Sequence, residues 1–305
     1  MNKVCIVCIT YNHSQYIKDC LEGFINQKTN FKYKVIVHDD ASTDGTAEIV
    51  KEYVDKYPDI ITAILEKENQ YSKAVPFFQN LILPLLDCDY VALCEGDDYW
   101  CDNNKLQKQA DFLDKNPDYS LCVHNTLMKD MEKHIDRVRY TNIEKDIYLD
   151  DVVMGGGTCF HTSSILCRRE FFEVPNFFRV KGIGDYSRSI YFALCGKIHY
   201  LPEVMSVYRF CCPGSWSKRQ TYKSSIENYN NLIKMLNRVN EHYDFKYNDS
   251  FKKGIRKQTY LLLKLECNRK EIKRNYNDFF KKETTIDKIK FYLKCMFPSL
   301  VNRKQ

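Results

Sequence analysis

A chain of 305 residues, 44% hydrophobic and 28% charged, has the composition of a soluble globular protein with one large domain, or one domain and an appendage. No apolar run approaches the ~18 residues needed to cross a bilayer, which argues against an integral membrane protein. The net charge of +6 is uneven: residues 219–305 hold 21 Lys and Arg against 9 Asp and Glu, and residues 1–218 hold 25 against 31, so an acidic body carries a basic tail.

Val4–Ile9 is a continuous apolar run after Met1-Asn2-Lys3, without a small-residue cleavage site. It predicts a first core strand rather than a signal peptide. The 14 cysteines are accordingly expected to be reduced in a cytoplasmic protein. Cys5 and Cys8 have CxxC spacing, but three residues along a strand point them to opposite faces. No second cysteine pair completes a zinc pattern.

Ile17, Cys20, Leu21, Phe24 and Ile25 recur at helical spacing, and Tyr33–His38 predicts a second strand. Ser42 or Thr43 can cap a helix carrying Ile49, Val50, Tyr53 and Val54. Ile60–Leu65 is a third strand, and Pro76 opens a helix through Leu85. Tyr90–Cys94 is a fourth strand. Strands alternating with helices imply a mostly parallel α/β sheet, whose ligands bind beyond the carboxyl ends of the strands.

Further on, Leu106, Ala110 and Leu113 mark a helix, Ser120–Val123 and Ile165–Cys167 strands, and Tyr186–Cys195 a helix. Gly155-Gly156-Gly157 predicts a tight or mobile loop. Lys197–Leu201 and Val204–Arg209 are expected to pair as strands. The chain after Thr221 is predicted helical throughout.

Glu95, Asp97 and Asp98 place three carboxylates within four residues at the end of the fourth strand. Such charges repel one another and lose hydration, so a cation or a set of donors normally offsets the cost. All-oxygen ligands suit Mg²⁺ or Mn²⁺, which can bridge to a diphosphate. The alternative is an acidic turn in water. Asp39 and Asp40 end the second strand, where a carboxylate can accept from a nucleobase N–H or a ribose hydroxyl. Capping of the next helix does not require them.

With Thr10-Tyr11-Asn12, Asp39-Asp40-Ala41-Ser42-Thr43-Asp44-Gly45-Thr46 and Glu95-Gly96-Asp97-Asp98-Tyr99-Trp100 in this order, residues 1–218 resemble the family 2 glycosyltransferases of the GT-A fold. The resemblance implies a mostly parallel sheet flanked by helices, with a helical C-terminal appendage. It divides the chain into a nucleotide-sugar-binding half (1–100), an acceptor-binding half (101–218) and a basic helical region (219–305). The implied activity is inverting transfer from a UDP- or dTDP-sugar to the hydroxyl of a glycan or lipid-linked glycan, in cell-surface polysaccharide synthesis. Thr10, Tyr11 and Asp39 would hold the base, with Asn12 and Asp40 beside them. Glu95 would lie near the ribose, Asp97 would ligate Mn²⁺ or Mg²⁺, and Asp98 would stand next to it.

Gly182-Ile183-Gly184-Asp185-Tyr186 is similar to the segment that supplies this family's base. Asp185 would take the acceptor's proton; burial or a nearby carboxylate should raise its pKa above the ordinary ~3.9. An N-cap is its other role. Two departures stand out. Glu95 occupies a place that usually holds Asp, and Cys211 and Cys212 follow Tyr208-Arg209 where relatives often carry His. A soft thiolate suits Mg²⁺ or Mn²⁺ poorly. Trp216, in the loop Pro213–Ser217, can cover a sugar face or simply pack. His161 is expected near the acceptor cleft as a structural residue.

Ile286, Ile289, Leu293, Met296, Phe297 and Leu300 fall on one helical arc flanked by Lys288, Lys290 and Lys294. Residues 285–301 therefore either pack on the acidic body or lie on the inner face of a membrane with anionic lipids. A nucleotidyltransferase would want a Gly-rich phosphate loop with a basic residue after the first strand, and a dehydrogenase GxGxxG; both are absent. No nucleic-acid motif accompanies the basic tail. The remaining alternative is a sugar-nucleotide-binding scaffold with impaired catalysis.

Overall fold

Four apolar runs alternate with amphipathic stretches and build one side of a twisted sheet. In the computed structural model, which describes residues 2–73, 78–138, 140–155, 159–180, 183–212 and 220–297, β1 (Asn2–Thr10), β2 (Tyr33–Asp39), β3 (Ile61–Leu65) and β4 (Cys88–Glu95) are all parallel, in the order β3-β2-β1-β4. Val4 to Cys8, Val35 to Val37 and Val91 to Cys94 are buried, as strands covered on both faces must be. Helices α1 (Ile17–Ile25) and α2 (Thr46–Lys56) turn Ile17, Cys20, Leu21, Phe24, Val50 and Tyr53 into this core. Cys8 lies 3.8 Å from Cys20, whereas Cys5 meets Cys88, so the CxxC cysteines do face opposite sides. All 14 cysteines are free thiols.

The expected helix before β4 is not regular. Its described part is a π-helical turn (Phe78–Ile82) followed by a 3₁₀ turn (Leu83–Leu85). Pro84 supplies no N–H and crowds the preceding turn, which breaks the α-helical ladder. Pro76 and Phe77 lie outside the described residues.

The sheet continues as β4-β9-β6-β10-β5. Its elements are β5 (Tyr99–Trp100), α3 (Lys105–Lys115), β6 (Tyr119–Asp130), β7 (Ile135–Val138), β8 (Lys145–Ile147), α4 (Leu149–Gly155), β9 (Leu166–Arg168), α5 (Gly184–Cys195) and β10 (Lys197–Phe210). Strand β9 runs antiparallel between β4 and β6, and β10 is parallel to β6. The two strands expected at Lys197–Leu201 and Val204–Arg209 do not pair with each other. They form the single strand β10, whose register against β6 shifts between Leu201 and Val204 and again before Ser206. Pro202 cannot donate to the ladder, and the chain absorbs it as a bulge instead of reversing.

By its contacts the chain divides into two units: Met1–Tyr148, Gly157–Val174 and Tyr191–Lys218 in one, Leu149–Gly156, Pro175–Ile190 and Arg219–Gln305 in the other. The first contains the sheet. The second is helical: α4, the start of α5, α6 (Tyr222–His242), α7 (Asn248–Leu265), α8 (Arg269–Asn275), α9 (Asn277–Lys282) and α10 (Thr285–Met296). Thr221 and Ser224 close a capping box at the start of α6. Gly254 permits close approach of α7 to α4, because a Cβ there would lie 3.0 Å from that of Val153. Tyr260, Leu263, Ile272 and Phe291 form a small core.

Helix α10 buries Phe291 and leaves Ile286, Ile289, Leu293, Met296 and Phe297 each about half exposed or more. The apolar arc predicted for this helix is thus its outer face; Leu300 lies outside the described residues. Lys290 and Lys294 border that face. Lys288 turns back to donate to the carbonyl of Lys281.

Lys105 is fully buried in α3, 4.0 Å above the Trp100 ring, and donates to Gln109 at 2.7 Å. Burial pushes its pKa down to about 7 from 10.5. The unfolded chain keeps this proton, so the penalty on folding is full below pH 7 and is relieved as pH rises toward 10.5. Urea unfolding of Lys105→Met and wild type from pH 7 to 9 should show the variant's relative stability falling by up to about 1.4 kcal/mol per pH unit. Parallel pH curves would refute a depressed lysine.

Candidate active site

Register brings the polar strand ends level. Thr10 of β1 pairs with Asp39 of β2, and Ile9 of β1 pairs with Glu95 of β4. Two further backbone bonds extend the alignment, from Asp40 N to Thr10 O at 3.0 Å and from Gly96 N to Ile9 O at 2.9 Å. Strands β2 and β3 lie on one side of β1 and β4 on the other. The chain therefore reverses its build direction at β1, and open α/β sheets bind ligands at such a point.

The loops after β1 and β2 are laced together. Asn12, at φ 56°, donates its N–H to Ser42 Oγ at 2.8 Å and accepts from Thr43 N at 2.8 Å. Asp39 is buried and accepts from Ser42 N at 3.0 Å and Ser42 Oγ at 2.5 Å. Asp40 gives its two oxygens to the N–H groups of Gln70 at 2.6 Å and Tyr71 at 3.1 Å, and so holds the loop after β3. Tyr11 is exposed.

Ser42 and Thr43 do not cap α2 as expected, being taken up in this lacing. Gly45 occupies the cap position. Asp44 serves the first turn from just outside, accepting from Thr46 N at 3.1 Å, Thr46 Oγ1 at 2.5 Å and Ser14 N at 3.0 Å. Burial raises the Asp44 pKa, but the bonds from Thr46 and Ser14 outweigh it and hold the carboxyl at about 2.

The acidic turn separates its three carboxylates. Glu95 is exposed. Asp98 is fully buried, with Oδ1 accepting from Arg209 N at 3.0 Å. Burial, followed by the charges of Asp97 and Glu95, pushes its pKa well above the usual carboxylate range, against a smaller opposing pull from Arg209. Asp97 lies with Oδ2 3.8 Å from His13 Nε2, while His13 Nδ1 is 3.2 Å from Thr10 Oγ1. Gly96 lets the turn press on β1: a Cβ there would lie 2.5 Å from Thr10 Oγ1.

His13 and Arg209 are participants that motif spacing alone did not assign. His13 follows Thr10-Tyr11-Asn12 directly, and Arg209 belongs to the Tyr208-Arg209 pair already noted, so adjacency was the available signal. Cys212 is buried and donates to Arg209 O at 3.5 Å. Burial and the Asp97 charge push its thiol up to about 11.

Asp185 lies in the first turn of α5, within the helical unit, and is exposed. The burial expected to raise its basicity is therefore not found. Trp216 and the loop around it lie outside the described residues. His161 stacks on Tyr208 at 4.1 Å, a structural contact.

Among the described residues no three His, Cys, Asp or Glu side chains converge to enclose a metal. One carboxylate at the head of a crowded acidic turn still fits a hard cation that draws its other oxygens from diphosphate and water.

A mostly parallel sheet flanked by helices, with acidic strand ends at its switch point, is the architecture of the GT-A fold. The profile of glycosyl transferase family 2 matches residues 5–174, and the chain belongs to that family. An uncharacterized protein of Mycobacterium tuberculosis is 36% identical over 220 residues, 71% of this chain and 61% of its own length; this chain thus spans under two thirds of that relative. S. aureus TarS 1-349 in complex with UDP-GlcNAc superposes with a TM-score of 0.55 at 15% identity, covering 86% of this chain and 81% of TarS. The mannosyltransferase PcManGT of Pyrobaculum calidifontis, in complex with GDP-Man and Mn²⁺, gives 0.55 at 19% identity, covering 85% and 70%. These structural matches concern the fold.

Gly96→Ala should lower the denaturant midpoint, with a loss of about 1–3 kcal/mol for the overpacked Thr10 contact. An unchanged midpoint would mean that Thr10 simply moves aside.

Proposed function

We propose that the chain is an inverting glycosyltransferase that moves a sugar from a UDP- or dTDP-sugar to a hydroxyl of a glycan or lipid-linked glycan. The observation that carries this reading is the level alignment of Thr10, Asp39 and Glu95 across β2-β1-β4. It sets the acidic turn beside a second acidic strand end at the switch point. The nucleotide-sugars in the TarS and PcManGT complexes support a donor of this class.

The base would stack on exposed Tyr11 and donate to Asp39, whose carboxylate has lone pairs beyond those used by Ser42. Thr10, Asn12 and Asp40 would hold the surrounding loops, and Glu95 would reach the ribose. Asp97, with diphosphate oxygens and water, would hold Mn²⁺ or Mg²⁺. When bound, such an ion offsets charge on the departing diphosphate. The acceptor oxygen attacks the anomeric carbon from the face opposite the diphosphate. The C–O bond to phosphate breaks with its electron pair going to the leaving group, and the hydroxyl proton passes to Asp185. One displacement inverts the anomeric centre.

A sugar-release assay over UDP- and dTDP-sugars with Mn²⁺ tests this. Asp185→Asn should lower turnover by about 10²–10⁴-fold, the span of one general base, while nucleotide binding persists. Asp97→Asn should abolish the Mn²⁺ dependence of that binding. Nucleotide-sugar binding with no turnover on any acceptor would overturn the enzymatic reading in favour of a binding scaffold.

A second reading concerns location, on the cytoplasmic side of a membrane. The outward apolar face of α10, bordered by Lys290 and Lys294, suits a surface of anionic lipid, where each basic residue contributes about 1 kcal/mol. The full chain should pellet with anionic vesicles and less with zwitterionic ones, and Ile289→Glu with Leu293→Glu should release it. Equal pelleting of variant and parent would refute this role for α10.

A further inference from the structure

We propose that Arg209 is a positioning residue that aims the Asp97 carboxylate by clamping the turn behind it; this rests on the reading of Asp97 as the metal- and diphosphate-facing group. Arg209 is only 8% exposed near the end of β10. Its Nη1 donates to the carbonyl oxygen of Asp97 at 2.8 Å, and its backbone N–H donates to Asp98 Oδ1 at 3.0 Å. Nη2 pairs with Asp19 on α1. The guanidinium carbon lies over two rings, 4.5 Å from the centroid of Tyr99 and 5.1 Å from that of Tyr16.

One side chain thus joins three elements to a four-residue turn. Nη1 fixes the peptide plane that follows Asp97, and the backbone N–H holds the neighbouring carboxylate inward. Asp98 stays buried while Asp97 is turned toward His13. The arrangement needs a planar fork: one nitrogen reaches a carbonyl, another a carboxylate, and the cation sits over two tyrosine rings. A lysine offers a single point charge and cannot make these contacts together. Asp19 anchors the outer nitrogen, and its side chain is 59% exposed, so removing it disturbs the clamp without opening the core.

The test is calorimetric titration of UDP into full-length wild type, Arg209→Lys and Asp19→Ala, each with and without Mn²⁺, alongside melting temperatures. Wild type should bind UDP more tightly with Mn²⁺. Both variants should lose about 10–100-fold of the Mn²⁺-dependent affinity, as supporting partners of metal ligands do, with the metal-free affinity unchanged. Asp19→Ala should melt close to wild type, which separates aim from stability.

If Mn²⁺ fails to strengthen UDP binding to wild type, Asp97 is not the metal-facing group and both readings fall. If wild type responds to Mn²⁺ and the two variants respond equally, the clamp alone is overturned. Equal loss with and without Mn²⁺ would also overturn it, since that marks a general weakening of the fold.

Discussion

Strand register at β1 is the constraint on which the site depends. A slip of one residue against β4 would carry Glu95 away from Ile9 and turn every β4 side chain to the other face. The buried apolar residues of β1, β2 and β4 make that slip costly. The polar ends are held level by a hydrophobic requirement elsewhere in the strands. Acidic groups can be brought together here because the core, and not the acids, fixes the geometry.

The electrostatic consequences are handled one residue at a time. Glu95 is exposed, and Asp98 is withdrawn inside, where the Arg209 backbone N–H and charge offset only part of the cost of burial. Asp97 is largely buried beside His13. Crowding of like charge, which sequence suggested as a single cluster, is resolved into three environments. Separation of this kind gives chemically identical side chains different roles.

Much of this was legible beforehand. Continuous runs such as Val4–Ile9 announce doubly covered strands, and the punctuation by Asp39-Asp40 and Glu95–Asp98 marks their ends. What escaped was set by long-range geometry. Lys197–Leu201 and Val204–Arg209 were expected to pair as two strands, whereas pairing with β6 carries the single strand β10 through Pro202 as a bulge. Ser42 and Thr43 satisfy the local rules for a helix cap, but Asn12 and Asp39, distant from α2's first turn, claim their hydrogen bonds. Burial or a nearby carboxylate was expected at Asp185, and it is exposed; helix spacing gives no information about what lies over a first turn. Arg209 has neighbours 111 and 190 positions away in the chain, which no spacing rule reaches.

The thiols beneath the acidic turn have a practical consequence. Cys8, Cys20 and Cys94 are buried at the junction of β1, α1 and β4, and Cys20 and Cys94 each point a sulfur at the Glu95 carbonyl, 3.5 Å away. Burial raises the pKa of both groups, so while the strands stay closed these sulfurs are shielded from alkylating reagents and are poor nucleophiles toward them. Their labelling rate therefore clocks how often this junction breathes open. The polypeptide carries its own chemical stopwatch for that motion, with no added dye or engineered tag.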